Sequence, residues 1–196
     1  QKAVVLVFAG KSGNSAGKSG DGAPNKEDFK YFGCVAKVHK VESDNGKITF
    51  LAQGLKRFEV LEWLDEEAPY RARVRYLTDA KVKDDESKAY AIAILDAIKE
   101  LIRQNPLFSE DLRQYLGRFT FSEPGLLADF AASITSAEAE ELYQVLETLP
   151  IHQRLNKALL LLKKELEIAR LHNEISAEVN DKISKHQREF FLKEQL

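Results

Sequence analysis

Methionine is absent from this 196-residue chain, cysteine and tryptophan occur once each, and proline occurs only 5 times. With Gln1 first and no methionine anywhere, the sequence is expected to be a segment or processed form of a longer protein. The lone cysteine, Cys34, excludes an internal disulfide framework and any multi-cysteine metal site, and it suits a reducing compartment. Neither sign of charge dominates: 29 Lys and Arg stand against 31 Asp and Glu, for a net charge of −2. No segment is strongly basic, so nucleic acid is not an expected partner. No apolar run approaches the roughly 20 residues that span a bilayer, so no membrane is expected either. No basic segment followed by an apolar stretch marks a signal peptide. Against these absences stands a hydrophobic content of 44 %, enough for a packed core.

The apolar material has two different periods. Residues 3–9, AVVLVFA, form a continuous valine-rich run that reads as a buried strand. Residues 10–28 are rich in glycine and serine and read as a loop. From Phe32 to Tyr76 the pattern is β. Cys34, Ala36 and Val38 alternate with Val35, Lys37 and His39, and Asp44-Asn45-Gly46 marks a tight turn. A strand over 47–53 is expected to break at Gly54 and resume at 58–64. Tyr70, Ala72, Val74 and Tyr76 then alternate with Arg71, Arg73 and Arg75. Several short strands of this kind suggest a small barrel or sandwich.

After residue 81 the period becomes 3.6. Ala91, Ile94, Leu95, Ile98, Leu101 and Ile102 form one helical stripe. A second helix is expected over 110–116. Ser122 has the chemistry to cap a third, and Thr135 with Glu138 has capping-box spacing for a fourth. Residues 151–196 contain neither proline nor glycine and read as one helix of roughly 65–70 Å. Its first half should pack on the other helices and its second half project, ending in Phe190, Phe191 and Leu192. The expected divisions are a β-rich part over 1–80, a helical bundle over 81–150 and the long helix over 151–196.

Few residues suggest chemistry. Gly17-Lys18-Ser19 imitates the end of a phosphate-binding loop, but the required earlier glycine is Ser12. Gly20 to Pro24 follow where a helix should begin. His39, His152, His172 and His186 form no metal-ligand pair, and the last two stand roughly 21 Å apart along a straight helix. Cys34 lies in an apolar strand with no adjacent base pattern and reads as a small hydrophobe. The row Arg71, Arg73, Arg75 suits either an acidic ligand or the wet face of an edge strand. Trp63 and Tyr70 flank a loop containing Pro69, an arrangement that serves either a contact patch or core packing.

In order, these features resemble the N-terminal region of the Lon family of ATP-dependent proteases. The matching pieces are Glu27-Asp28-Phe29 after Pro24, FGCVAKV at 32–38, and DNGKITFLAQGLKRFEV at 44–60 with its Gly54, Leu55 and Arg57 signature. Tyr70 to Val74, EPGLLADFAASI at 123–134, LETLPIHQRLNKALLLLKKELE at 146–167 and QREFFLKEQL at 187–196 follow in the same order.

The resemblance implies an α+β fold: a small PUA-like β pseudo-barrel, then an α-helical bundle ending in a long projecting, coiled-coil-like helix. It also implies a substrate-recognition and tethering role toward unfolded or degron-bearing proteins, within a homo-hexameric ATP-dependent serine protease of the bacterial cytoplasm or the mitochondrial matrix. ATP, Mg and the catalytic Ser–Lys pair would belong to other domains, so no cofactor and no catalytic residue is expected in this segment. Trp63, Tyr70, Arg71 and Arg73 are the candidate substrate contacts, and Phe190, Phe191 and Leu192 the candidate inter-domain contacts. The competing reading is a stand-alone adaptor or ligand-binding module similar to cereblon. That reading usually needs a three-tryptophan cage, and this chain has only Trp63.

Overall fold

The computed structural model describes residues 3–9, 26–44, 47–67, 69–79, 84–104 and 123–194. The strands are β1 (Ala3–Ala9), β2 (Phe29–Asp44), β3 (Lys47–Trp63) and β4 (Ala72–Tyr76), with a 3-10 turn at Lys26–Asp28. The helices are α1 (Asp85–Gln104), α2 (Pro124–Ser133), α3 (Ala139–Glu147) and α4 (Ile151–Glu194). The class is α+β, as expected. Of the loop expected over 10–28, residues 10–25 lie outside the described residues and 26–28 form the 3-10 turn; the turn residues Asn45 and Gly46 and the expected helix over 110–116 also lie outside them.

The chain forms two compact units. The first comprises Gln1–Ala80 and Ala139–Leu149, and the second Lys81–Glu138 and Pro150–Leu196. In the first unit the strands pair antiparallel in the order β1-β2-β3-β4. The short connections from β2 to β3 and from β3 to β4 favour antiparallel neighbours, while β1 joins the same meander across the longer stretch from residue 10 to 28. Gly54 does not break β3, contrary to the sequence expectation. Val35 faces Lys56 while Ala36 faces Gly54, so Leu55 is an extra residue and the 17-residue strand continues through a bulge. Leu61 is likewise extra between Val60↔Val74 and Glu62↔Arg73. Both bulged leucines are exposed, because the bulge takes them out of the alternation. Among the described residues of the sheet, Ala36, Phe58 and Val60 are the buried hydrophobic ones.

α3 groups with the strands, although the sequence pattern places 139–149 in the helical bundle. The reason is a set of polar anchors. Arg57 Nη1 donates to the carbonyl oxygens of Leu146 at 3.0 Å and Thr148 at 3.3 Å. The Phe32 N–H donates to Tyr143 Oη at 3.3 Å, and Lys30 pairs with Glu140.

In the second unit, Asp84 caps α1 by accepting from the Ser87 N–H at 2.6 Å. The apolar stripe of α1 then packs against α2 and the first half of α4. Ile94, Ile98, Leu101, Leu127, Ala128, Ala131, Leu155, Ala158 and Leu162 form one buried cluster. Each such leucine or isoleucine contributes about 1.5–3 kcal/mol by burial. The leucines of α4 at 155, 159 and 162 thus complete the bundle, so the start of the long helix belongs to it. Packing extends to Leu166 and Ala169. Beyond them Leu171, Ile175, Val179 and Ile183 are exposed on a helix 44 residues long, about 65 Å.

Two expected caps differ. α2 begins at Pro124 with Glu123, not Ser122, in the cap position, and no side-chain cap bond is made there. A proline at the first helical position lacks the N–H a cap would satisfy. Thr135 ends α2 instead of opening α3: its hydroxyl donates back to the Ala132 carbonyl at 2.8 Å. Ser136 then donates from N–H and hydroxyl to Glu165 Oε2 at 2.8 and 2.7 Å, fixing the connection to α4.

Candidate functional site

At one end of the sheet three aromatic rings meet. Phe29 opens β2, Trp63 closes β3, and Tyr70 lies in the β3–β4 connection. The Phe29 and Trp63 centroids are 5.5 Å apart, those of Phe29 and Tyr70 5.5 Å, and those of Trp63 and Tyr70 6.2 Å. The two contacts of Tyr70 are edge-to-face, the arrangement that aligns a positive ring edge with a negative ring face. All three side chains are half-buried, and the adjacent Leu64 is 49 % exposed. The rings therefore pack on one another while still presenting apolar area to the outside.

The connection that carries Tyr70 is closed twice. The Leu64 N–H donates to the Arg71 carbonyl at 2.8 Å. Asp65 accepts from the Arg71 N–H at 2.8 Å, from Arg71 Nε at 2.9 Å and from Arg71 Nη2 at 2.8 Å. The hydrogen bonds of Arg71 hold the Asp65 carboxyl below the usual carboxylate range, and Asp65 in turn raises the guanidinium. Lys26 pairs with Glu66 and ties the same connection to the turn before β2.

The arginine row is engaged along its whole length. Arg71 pairs with Asp65, Arg73 with Glu62 at 2.8 Å, and Arg75 with Glu59. Glu62–Arg73 and Glu59–Arg75 are directly opposite partners on β3 and β4, so the register itself places the opposite charges together. The three arginines remain exposed, but each charge is locally balanced.

The structure thus brings together Trp63, Tyr70 and Arg71, with Arg73 next along β4. Phe190 belongs to the second unit and is 60 % exposed. The side chains of Phe191 and Leu192 lie outside those described. Sequence reasoning did not assign Phe29 or Asp65 to the site. Asp65 had a legible signal, an acid six residues before an arginine across a proline-containing loop. Phe29 had none, because its neighbours are set by strand pairing.

Other candidates acquire structural roles. His39 bonds Gln53 at 3.0 Å, and His152 lies 3.2 Å from Asp84 and 3.5 Å from Glu86. Cys34 is half-buried, with its thiol 3.4 Å from the Val35 carbonyl. Among the described residues no group of three or more His, Cys, Asp or Glu is placed to hold a metal ion. The Lys18 loop lies outside the described residues. Among those residues no helix is long and apolar enough to cross a membrane.

Comparison with known proteins gives these features a context. The profile of the ATP-dependent protease La (LON) substrate-binding domain matches residues 1–164. Lon protease 2 of Hydrogenovibrio crunogenus is 42 % identical over 171 residues, 87 % of this chain and 20 % of that protein. Lon protease 1 of Syntrophotalea carbinolica is 42 % identical over 182 residues, 91 % of this chain and 22 % of that protein. The chain therefore spans about a fifth of the length of these curated relatives. The solved N-terminal domain of the Mycobacterium avium complex Lon protease shares the fold, with a TM-score of 0.58 at 19 % identity over 69 % of this chain and 71 % of that one. These matches favour the Lon reading over a cereblon-like adaptor. By residues 1–164, the chain belongs to the family of ATP-dependent protease La (LON) substrate-binding domains.

Proposed function

We propose that this chain grips unfolded or degron-bearing polypeptides for an ATP-dependent serine protease, and that the surface built from Phe29, Trp63 and Tyr70 makes the contact, with Arg71 and Arg73 at its rim. The observation that carries this reading is the half-buried ring cluster beside exposed Leu64, in a chain whose family is named for substrate binding. Apolar area that a sheet does not bury is the feature an unfolded chain, rich in uncovered apolar side chains, can cover.

In the parent protein, ATP, Mg and the peptidase chemistry belong to segments outside this chain, and the chain itself binds without catalysis. Along the sequence the proposed parts remain a β-rich region over 1–80, a helical stretch over 81–150, of which 139–149 groups with the strands, and a long helix over 151–196 whose start completes the bundle and whose remainder connects to other domains. Phe190, Phe191 and Leu192 contact other domains or other subunits of a homo-hexamer. A bacterial cytoplasm is the proposed setting, since the relatives compared are bacterial proteins. Copies linked in a ring strengthen weak individual sites by raising effective concentration.

The test is titration of fluorescein-labelled β-casein, a natively unfolded protein, with the chain, read by anisotropy. Trp63→Ala and Tyr70→Ala should each weaken binding about fivefold or more, the size of a lost aromatic contact. Unchanged binding in both variants would remove this surface from the proposal.

A further inference from the structure

We infer that Asp65 is a positioning residue for this surface: by holding Arg71 it fixes the β3–β4 connection so that Tyr70 stays packed on Trp63 and Phe29 in the arrangement that receives an unfolded chain. The inference rests on the reading of Phe29, Trp63 and Tyr70 as the contact surface.

The geometry is specific. Trp63 is the last residue of β3, and Tyr70 immediately precedes Arg71. One carboxylate oxygen of Asp65 takes both the Arg71 backbone N–H at 2.8 Å and Nε at 2.9 Å, and the other takes Nη2 at 2.8 Å. A planar guanidinium bound through two nitrogens fixes direction as well as distance. The added backbone bond pins the main chain next to Tyr70. Asp65 is the more protected partner, its side chain 21 % exposed against 76 % for Arg71. The hydrogen bonds from Arg71 hold the Asp65 carboxyl below the usual carboxylate range.

The Arg71 guanidinium is thus engaged inside the connection, where its first task is to be held by Asp65. A ring surface fixed before contact loses less freedom on binding than one that must assemble around the ligand. Removal of the Asp65 charge would release the connection and let Tyr70 leave the edge-to-face arrangement.

Trp63 is the only tryptophan in the chain, so its emission, excited at the red edge where the 6 tyrosines do not absorb, reports the ring cluster. The experiment compares Asp65→Asn, Arg71→Gln and the charge-exchanged double variant Asp65→Arg with Arg71→Asp, each in the whole chain. The readouts are the Trp63 spectrum, the urea midpoint and binding of fluorescein-labelled β-casein. Both single variants should weaken binding about fivefold and alter the Trp63 spectrum with little change in midpoint, and the exchanged pair, which restores an ion pair but not the bond to the backbone N–H of residue 71, should recover only part of both.

Parental binding by Asp65→Asn, in the same assay where Trp63→Ala loses binding, overturns the positioning role and leaves the surface standing. Parental binding by Trp63→Ala removes the surface and this inference with it. If Asp65→Asn lowers midpoint and binding together, the Trp63 emission of the variant below its unfolding transition decides: a shifted spectrum supports the role and a parental spectrum overturns it.

Discussion

Arg57 on β3 donates from Nη1 to the carbonyl oxygen of Thr148, 3.3 Å away, just beyond the end of α3. The same nitrogen serves Leu146 at 3.0 Å, and Nη2 pairs with Asp79. A helix end leaves its last carbonyls without intrahelical partners, and here a strand arginine supplies the donors. Arg57 is only 9 % exposed, so its loss strands those groups away from water. Arg57→Ala should destabilise the first unit by about 2–4 kcal/mol. Arg57→Lys should restore little, because an ammonium does not reproduce the fork. Urea unfolding is the measurement, and a loss by Arg57→Ala no larger than that of an exposed arginine would show that α3 is held by other contacts.

Gly54 makes a second close approach. A Cβ added there would stand 3.1 Å from Cys34 Sγ. Strand glycine normally gains from replacement by alanine, through a less flexible unfolded chain. Here the crowded thiol opposes that gain, and overpacking costs of this kind run to about 1–3 kcal/mol. Gly54→Ala should therefore be destabilising by about 1 kcal/mol net. The double variant with Cys34→Ala should lose less than the two single losses added together. Strict additivity in that cycle would mean that the two residues do not touch.

Along α4 the cost of substitution should change with position. Leu162 is 0 % exposed and Ile175 is 61 % exposed on the same helix. Leu162→Ala should cost about 3 kcal/mol, from lost burial and the cavity left behind. Ile175→Ala should stay within about 0.5 kcal/mol for the isolated chain. Thermal unfolding of both variants checks the contrast, and a large loss at Ile175 would place a covering partner on the distal half.

Asp84 gives a pH-dependent prediction. The bond it accepts from the Ser87 N–H is the first cause that lowers its carboxyl, and the nearby His152 adds to the effect. A carboxyl depressed in the folded state contributes stability that is present above its unfolded value. That contribution is lost as pH falls through the lower folded value, here below about pH 4. Asp84→Asn keeps an acceptor for the cap but removes the charge, and it should flatten the acid limb of the stability profile. An acid limb identical to the parent's would assign the pH dependence to other carboxylates.

The parts legible in the sequence were those written in short-range patterns. The valine-rich run at 3–9 marked a strand, and the alternation through Val74 and the 3.6 period of Ile94, Ile98 and Leu101 each report which face of one element meets apolar surroundings. The charge-alternating β4 announced a row of arginines. Trp63 and Tyr70 were visible as aromatics about a proline-containing loop, but their contact with Phe29 was not. That contact depends on where β2 begins relative to the end of β3. The continuity of β3 through Gly54 was misread for a related reason, because a bulge preserves pairing while interrupting the local pattern.

What the sequence determined by itself was the change from β to helical periodicity, the uninterrupted final helix, and the family, through motifs kept in order over most of the chain. What only the tertiary structure decided was the partner of each polar group: Asp65 for Arg71, Glu62 for Arg73, and the end of α3 for Arg57. Periodicity records burial, which a single element feels through its own surroundings. Hydrogen bonds and ion pairs join residues distant in sequence, and only the packed chain brings their atoms within bonding distance.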